Sequence, residues 1–461
     1  MKRFILILLL ALSIRIAFLA YTDFVAEDAH ITFQFARNIA RGDGFSAIPG
    51  IPVYGSTTPL LTLILAGWLG ISENIVLGAR LVDLLAFAGG AIFLYSAIPN
   101  RRAAIFVMLL IAVSGRMIAE EMQGMEMPLL FLFMMGSFYG FMKEKPVLAG
   151  IMAGLMLWTR VDALVWVGTL WLIYTLLDWN SALKFAVVVS SIYLPWILFA
   201  WWYFGSPIPL TIIAKQVAYG INSPPYLVHL GRILDYLTPG VVAGAAITVF
   251  VLKDKRYWIF PLFSLIEVAV LVISGATFFS RYFYSLTLMM LILLGIGIDY
   301  ATRFLLPKYL TPLAVILIFV FSAGGENRVY STIERIITSR NIQRQTYSAL
   351  RDVGKWLHDN SPENSTVMLE PLGYVGWYAD RVMIDEVGLT TPEAIELHRQ
   401  GVEGAYFFKY FLPDYVVWYC DSQRGREEIN NLYTVVKVFD DVGELKRVCY
   451  EIWKKDKYAQ N

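Results

Sequence analysis

The chain has 461 residues, of which 57% are hydrophobic and only 16% charged. An average soluble chain carries about 25% charged residues, so a wholly soluble protein is excluded. The formal net charge of +1 supplies no basic face, so no nucleic-acid partner is expected.

From residue 1 to about 324 the sequence consists of apolar runs broken by short charged loops, and 325–461 read as an ordinary soluble domain. A membrane helix needs about 20 apolar residues, because each rises ~1.5 Å through a ~30 Å hydrocarbon core. Candidate spans are Phe4–Ala20, Ile75–Ile98, Ala103–Ile118, Met127–Met142, Val147–Trp158, Ala163–Leu177 and Phe185–Phe204. Val241–Leu252, Tyr257–Ser274, Tyr282–Ile298 and Tyr309–Ala323 come next, giving about eleven.

Thr58–Ile71 decides the topology. Leaving it out of the spans places Lys2-Arg3, Arg101-Arg102, Lys143 with Lys145, Lys184, Lys253 to Arg256, Arg303 and Lys308 all inside. At 14 residues it is short for a span and reads as a helix lying in the outer interface. An odd number of spans then puts the C-terminal domain on the extracytoplasmic side. Met1–Ala20 has features of a cleaved signal peptide, but Arg15 interrupts its apolar stretch and a retained first helix is preferred.

The first outer loop, residues 21–74, holds an acidic pair, Glu27-Asp28, before a helical pattern. Ile31, Phe35 and Ile39 recur on one side, with Gln34, Arg37, Asn38 and Arg41 opposite, the pattern of an interfacial amphipathic helix. The ordinary reading of acids at a helix N-terminus is a favourable dipole interaction of about 0.3–1 kcal/mol. Within the spans, Arg15, Arg80, Asp83 and Glu267 are costly charges that mark partners or a watery cavity. Arg80 and Asp83 stand three residues apart and are placed to pair on one helix.

In the C-terminal part, Gln343–Asp359, Pro392–Gln400 and Gly425–Leu432 are expected helices. Thr366–Leu369, Val382–Ile384, Tyr415–Tyr419, Thr434–Phe439 and Val448–Trp453 are expected strands, making a small α/β binding or positioning module. Its two cysteines, Cys420 and Cys449, are either bridged, which an outer location permits, or two small buried apolar residues. His30, His229, His358 and His398 are too scattered for a zinc site.

Glu27-Asp28-Ala29-His30, Phe35-Ala36-Arg37-Asn38, Gly42-Asp43-Gly44-Phe45 and Gly55-Ser56-Thr57-Thr58-Pro59 together resemble the first outer loop of GT-C glycosyltransferases. The terminal arabinofuranosyltransferases are the nearest in look; lipid A aminoarabinose transferases and protein O-mannosyltransferases are more distant. The likeness continues through Gly124-Met125-Glu126-Met127-Pro128, Trp158-Thr159-Arg160-Val161-Asp162, Tyr203 to Pro209 with Ala214-Lys215, and Ser280-Arg281-Tyr282-Phe283. It extends to Val382 to Asp385, Gly388-Leu389-Thr390 and Pro413-Asp414-Tyr415. Departures are Glu27 for Asp, His30 for Tyr, and Val161-Asp162 for Pro-Glu.

The resemblance implies a polytopic α-helical membrane enzyme of GT-C fold in the cell membrane. Its expected reaction moves a sugar from a polyprenyl-phosphate donor, with inversion, to an outer saccharide, lipid or protein acceptor. One carboxylate must take the acceptor proton, Asp28 before Glu27, and cations must meet the leaving phosphate, Arg281, Lys215 and Arg160. His30, Tyr54, Glu126 and Asp162 are expected at the substrates. A divalent cation is compatible with these acids but not demanded by them. The competing expectation is a transporter or lipid flippase with Glu267 as its coupling site, against which the sequence shows no repeat symmetry between halves.

Overall fold

The computed structural model describes residues 2–220, 254–274, 279–304, 328–442 and 447–456, with scattered positions between 226 and 252. The expected span Tyr309–Ala323, half of Val241–Leu252 and His229 therefore lie outside the described residues.

Helices α1 (Lys2–Thr22), α2 (Glu27–Arg41), α3 (Pro59–Leu69) and α4 (Ile75–Ala97) open the chain. Then come α5 (Arg101–Val113), α6 (Gly115–Glu121), α7 (Met127–Met142), α8 (Pro146–Thr159), α9 (Leu164–Leu177), α10 (Trp179–Phe204) and α11 (Leu210–Gly220). The next described helices are α12 (Ile259–Ser274) and α13 (Tyr284–Phe304). Among the described residues five helices are long and apolar enough to cross a membrane: Lys2–Thr22, Ile75–Ala97, Trp179–Phe204, Lys255–Ser274 and Ser280–Arg303. The 21 residues of α1 rise about 32 Å, enough for the hydrocarbon core. The 11 residues of α3 rise only about 16 Å, too little to cross it.

The span expected over Ala103–Ile118 is two helices, α5 and α6, bent by 67°. Ser114 leaves the helical region with ψ 104°, and its hydroxyl accepts the Met117 N–H, so it stops one helix and caps the next. The pattern of apolar residues runs through the break and hides it.

Two compact units emerge: Met1–Asp23, Leu77–Ile197 and Ser223–Thr338 in the first, and Phe24–Val76, Leu198–Asn222 and Ser339–Asn461 in the second. The first is helical, with α5 packed on α1 and α13, and α7 on α8. The expected Arg80–Asp83 pair does not form. Arg80 reaches Asp23 at 2.6 Å, while the buried Asp83 accepts the N–H of Gly124 at 3.1 Å. A buried acid is better served by a fixed amide in a tight turn than by a side chain that must stay near water.

In the second unit a helix α14 (Arg328–Ile342, its last turn) leads through a π-turn at Gln343–Tyr347 into α15 (Ser348–Asn360). Strands β1 (Thr366–Leu369), β2 (Val382–Asp385), β3 (Tyr415–Tyr419), β4 (Tyr433–Val442) and β5 (Arg447–Lys455) form one sheet in the order β2-β1-β3-β5-β4. β1 runs parallel to β2 and β3, and β5 antiparallel to β3 and β4. Helix α16 (Leu372–Ala379) carries the chain from β1 to β2, and α17 (Pro392–Arg399) comes after β2. Met368, Phe407, Phe408, Val416, Trp418 and Trp453 lie in its core. Cys420 and Cys449 are joined by a disulfide with Cα atoms 5.4 Å apart, where Cys420 N–H also donates to the Cys449 carbonyl.

Candidate functional site

In the second unit helix α2 packs against α3 and α16. Gly42 ends it in the left-handed region, its N–H bonded to the carbonyls of Asn38 and Ile39. The polar side that reads as a solvated face is instead covered by α16. Gln34 donates to the carbonyl of Gly373 at 3.2 Å, and Arg37 to that of Trp377 at 2.8 Å. Arg37 and Arg41 both bond Asp380, each at 2.8 Å. Asn38 turns inward to the carbonyls of Ser46 and Ala47, both at 2.9 Å. Sequence periodicity cannot tell a face left to water from one left to backbone carbonyls, because both ask for polar side chains.

The acidic pair occupies the first two positions of α2, with Ala26 as N-cap. Glu27 Oε1 accepts the backbone N–H of Gly373. Gly373 has no side chain to spare there: a Cβ would overlap the Glu27 carbonyl oxygen and carboxylate. Burial, then the neighbouring Asp28 charge, raise the Glu27 carboxyl well above its usual range, the Gly373 amide opposing them. Two adjoining acids in this setting favour holding one proton between them. The preceding residue is fixed as well: Val25 donates to Gln343 Oε1 and accepts from the Tyr374 hydroxyl, both at 3.1 Å.

Three parallel strands end at one edge of the sheet, the edge where open α/β sheets gather ligands. Glu370 stands directly after β1, Glu386 directly after β2, and Tyr419 closes β3. The Tyr419 hydroxyl lies 3.5 Å from Glu370 Oε2, and its ring packs 5.0 Å from Tyr450. Glu370 adds its charge to that felt by Glu27, so this edge lies beside the acidic pair. The sequence reading missed Glu370 and Tyr419; an acid directly after each of two strands was the available signal.

His30 and Tyr54 are built into the protein. His30 is 1% exposed, bonded through Nδ1 to the Ala26 carbonyl and stacked 3.8 Å from Tyr374. Burial pushes its imidazole down to about 3, so it is neutral at physiological pH. Tyr54 is buried against Phe204 at 4.8 Å. Lys215 is half-buried on α11.

In the first unit Arg160, Asp162, Glu267, Arg281, Tyr282 and Ser285 line one small, partly open pocket. Arg160 lies between Glu126 at 2.6 Å and Asp162 at 2.5 Å, so two carboxylates offset its charge. Among the described residues, Glu126 Oε2 and Glu267 Oε2 are buried with no hydrogen-bond partner. Four residues singled out in the sequence, Arg160, Asp162, Glu267 and Arg281, thus line one pocket, and Glu126 bonds the first of them. Among the described residues no three His, Cys, Asp or Glu side chains come together as ligands for a metal.

A family model described as a domain of unknown function, DUF8728, matches residues 340–458. No curated protein sequence matches the chain. Among solved structures, ArnT from Cupriavidus metallidurans bound to undecaprenyl phosphate superposes with a TM-score of 0.64 at 14% identity, over 97% of each chain. The oligosaccharyltransferase of Archaeoglobus fulgidus, tethered to an acceptor peptide containing the NVT sequon, gives 0.60 at 12% identity over 90% of this chain and 69% of that one. The same archaeal enzyme, AglB, in complex with an inhibitory peptide and a dolichol-phosphate, gives 0.55 at 12%. Likeness at such identities speaks for architecture. The chain is a polytopic α-helical membrane protein of the GT-C fold, with a small C-terminal α/β domain.

Proposed function

We propose that this protein is an inverting glycosyltransferase that moves one sugar from a polyprenyl-phosphate donor to an acceptor hydroxyl outside the membrane. The observation that carries the reading is the state of the acidic pair: Glu27 is engaged by the Gly373 amide, next to Asp28 at the start of α2, on a GT-C fold. The neighbouring structures named with undecaprenyl phosphate and dolichol-phosphate support a lipid-phosphate donor.

Asp28 is assigned as the base and Glu27 as its anchored partner. The acceptor hydroxyl gives its proton to the Asp28 carboxylate as its oxygen bonds to the anomeric carbon. The bond from that carbon to the phosphate oxygen breaks, and its electron pair leaves with the polyprenyl phosphate. Arg281 and Lys215 are assigned to the phosphate charge. Arg160, occupied by Glu126 and Asp162, takes a supporting part in that role. His30 and Tyr54 contribute by shaping the outer loop, and Glu126 and Asp162 by setting the cavity wall. We assign the chemistry to the membrane part, residues 1–324 with the loop 21–74, and positioning to 325–461 on the extracytoplasmic side. The Cys420–Cys449 disulfide supports that side, since such bonds persist in oxidising compartments.

The test incubates purified protein with a panel of polyprenyl-phosphate sugars and measures release of polyprenyl phosphate. Asp28→Asn is expected to lower turnover by about 10²–10⁴ while donor binding persists. Release that survives Asp28→Asn unchanged removes Asp28 as the base; no release with any donor overturns the reading.

A further inference from the structure

A second charged network in the first unit has no part in the chemistry assigned above. Arg15, 0% exposed in the middle of α1, donates through Nε to Glu121 Oε2 at 2.7 Å and lies over the Phe87 ring at 3.5 Å. Its Nη2 also approaches the Ile111 carbonyl at 3.4 Å. Ile111 belongs to the last turn of α5, whose carbonyls lose their helical partners at the bend. Tyr284 donates its hydroxyl to the other oxygen of Glu121 at 2.9 Å. The broken helix is thus fastened from both sides through one carboxylate, at its last residue.

The segments on either side of this carboxylate lead to the cavity. The chain from Met122 to Glu126 turns at Gly124, held by Asp83. Met125 Sδ then lies 3.8 Å from Arg281 Nη1, and Glu126 bonds Arg160. On the other side, Tyr284 stands three residues after Arg281, past the short turn Ser280–Phe283. Each contact of Glu121 therefore fixes a segment that carries or touches one of the two cavity arginines.

We propose that Glu121, held by Arg15 and Tyr284, is a positioning residue that sets Arg281 and Arg160 in the cavity wall for the phosphate of a polyprenyl-phosphate ligand. The ligand class rests on the glycosyltransferase reading above; the geometry of the network does not. An ion pair buried among apolar helices is costly to keep and gives weak net stability compared with apolar packing. Its value lies in fixing one arrangement of the broken helix.

The experiment compares wild type, Tyr284→Phe, Glu121→Gln and Arg15→Lys in detergent. It measures thermal unfolding, binding of undecaprenyl phosphate, and KM and kcat for a polyprenyl-phosphate sugar. Tyr284→Phe removes one hydrogen bond and keeps the ion pair. It is expected to unfold within a few degrees of wild type, bind undecaprenyl phosphate about 3–10-fold more weakly, and raise KM with little change in kcat. Glu121→Gln is expected to weaken binding further, and Arg15→Lys, which keeps the charge but not the fork, to fall between. If the larger changes prevent folding, Tyr284→Phe carries the test. A Tyr284→Phe protein that loses stability yet binds and turns over as wild type overturns the inference, leaving a plain brace. Wild type that binds no polyprenyl phosphate overturns the glycosyltransferase reading and this inference with it.

Discussion

Glu27 is hydrogen-bonded to Gly373, 346 residues further along the chain, and the two residues meet with no room for a side chain between them. Gly373→Ala should therefore push α16 off the start of α2. The expected cost is about 1–3 kcal/mol, typical of an overpacked site. Thermal unfolding of the full chain checks this, and a wild-type transition with wild-type turnover would show that the contact is slack.

The acids of the pair should titrate together. Glu27→Gln keeps an oxygen for the Gly373 amide and removes the charge beside Asp28. The acid limb of the kcat/KM profile is then expected to move to lower pH by about one unit, with the plateau rate retained within about tenfold. A limb that stays in place would mean that the two carboxyls do not share a proton.

Glu386, at the carboxyl end of β2, is pushed up to about 8 by burial and by the charges of Glu370 and Asp385. The folded state therefore holds this proton where the unfolded chain, near its ordinary 4.5, has lost it. The associated stability is complete below about pH 4.5 and drains away as pH rises to about 8. Glu386→Gln should flatten that slope and exceed wild type at pH 9 by about 1–3 kcal/mol, after allowing for the side chain's partial exposure. Equal slopes in thermal unfolding from pH 5 to 9 would reject the assignment.

Glu126→Ala leaves Arg160 with Asp162 alone. Since one partner remains, the loss should be less than the ~3–5 kcal/mol of opening a buried pair outright. KM for the donor should rise, because the wall that holds Arg160 is loosened. A change confined to kcat would place Glu126 at the reacting atoms instead.

Reduction of the Cys420–Cys449 bond frees a loop closed across 29 residues. Loop-closure entropy puts the loss near 3–4 kcal/mol. Unfolding of the C-terminal domain within the full chain, measured with and without dithiothreitol, should show a clear drop; an unchanged midpoint would mean the bond constrains little.

Much of this architecture was legible in the sequence because the physics behind it is local. Met127–Met142 and Thr366–Leu369 emerge with the boundaries read from hydropathy and alternation. The break at Ser114 was not legible, since one serine and one glycine hardly disturb an apolar pattern. Nor was α16: Leu372–Ala379 is short, rich in glycine and aromatics, and gains its helical form from the surface of α2 on which it lies. Of the site, the acidic pair stood out by its position before an amphipathic run. Glu370 did not, because its relevance comes from strand order, which brings the ends of β1 and β3 together only after folding. The pairing of Arg160 with Glu126, 34 residues earlier, likewise depends on a packing of helices that no spacing rule contains.

The union of α2 with α16 also sets a timetable for making the protein. At ~5–20 residues per second, Gly373 leaves the ribosome roughly 17–70 s after Glu27. Through that interval the helix bearing Gln34, Arg37 and Arg41 has been synthesised but lacks the carbonyls and Asp380 that will receive them. The start of α2 therefore stays without its Gly373 amide partner until the β1–β2 connection has been made.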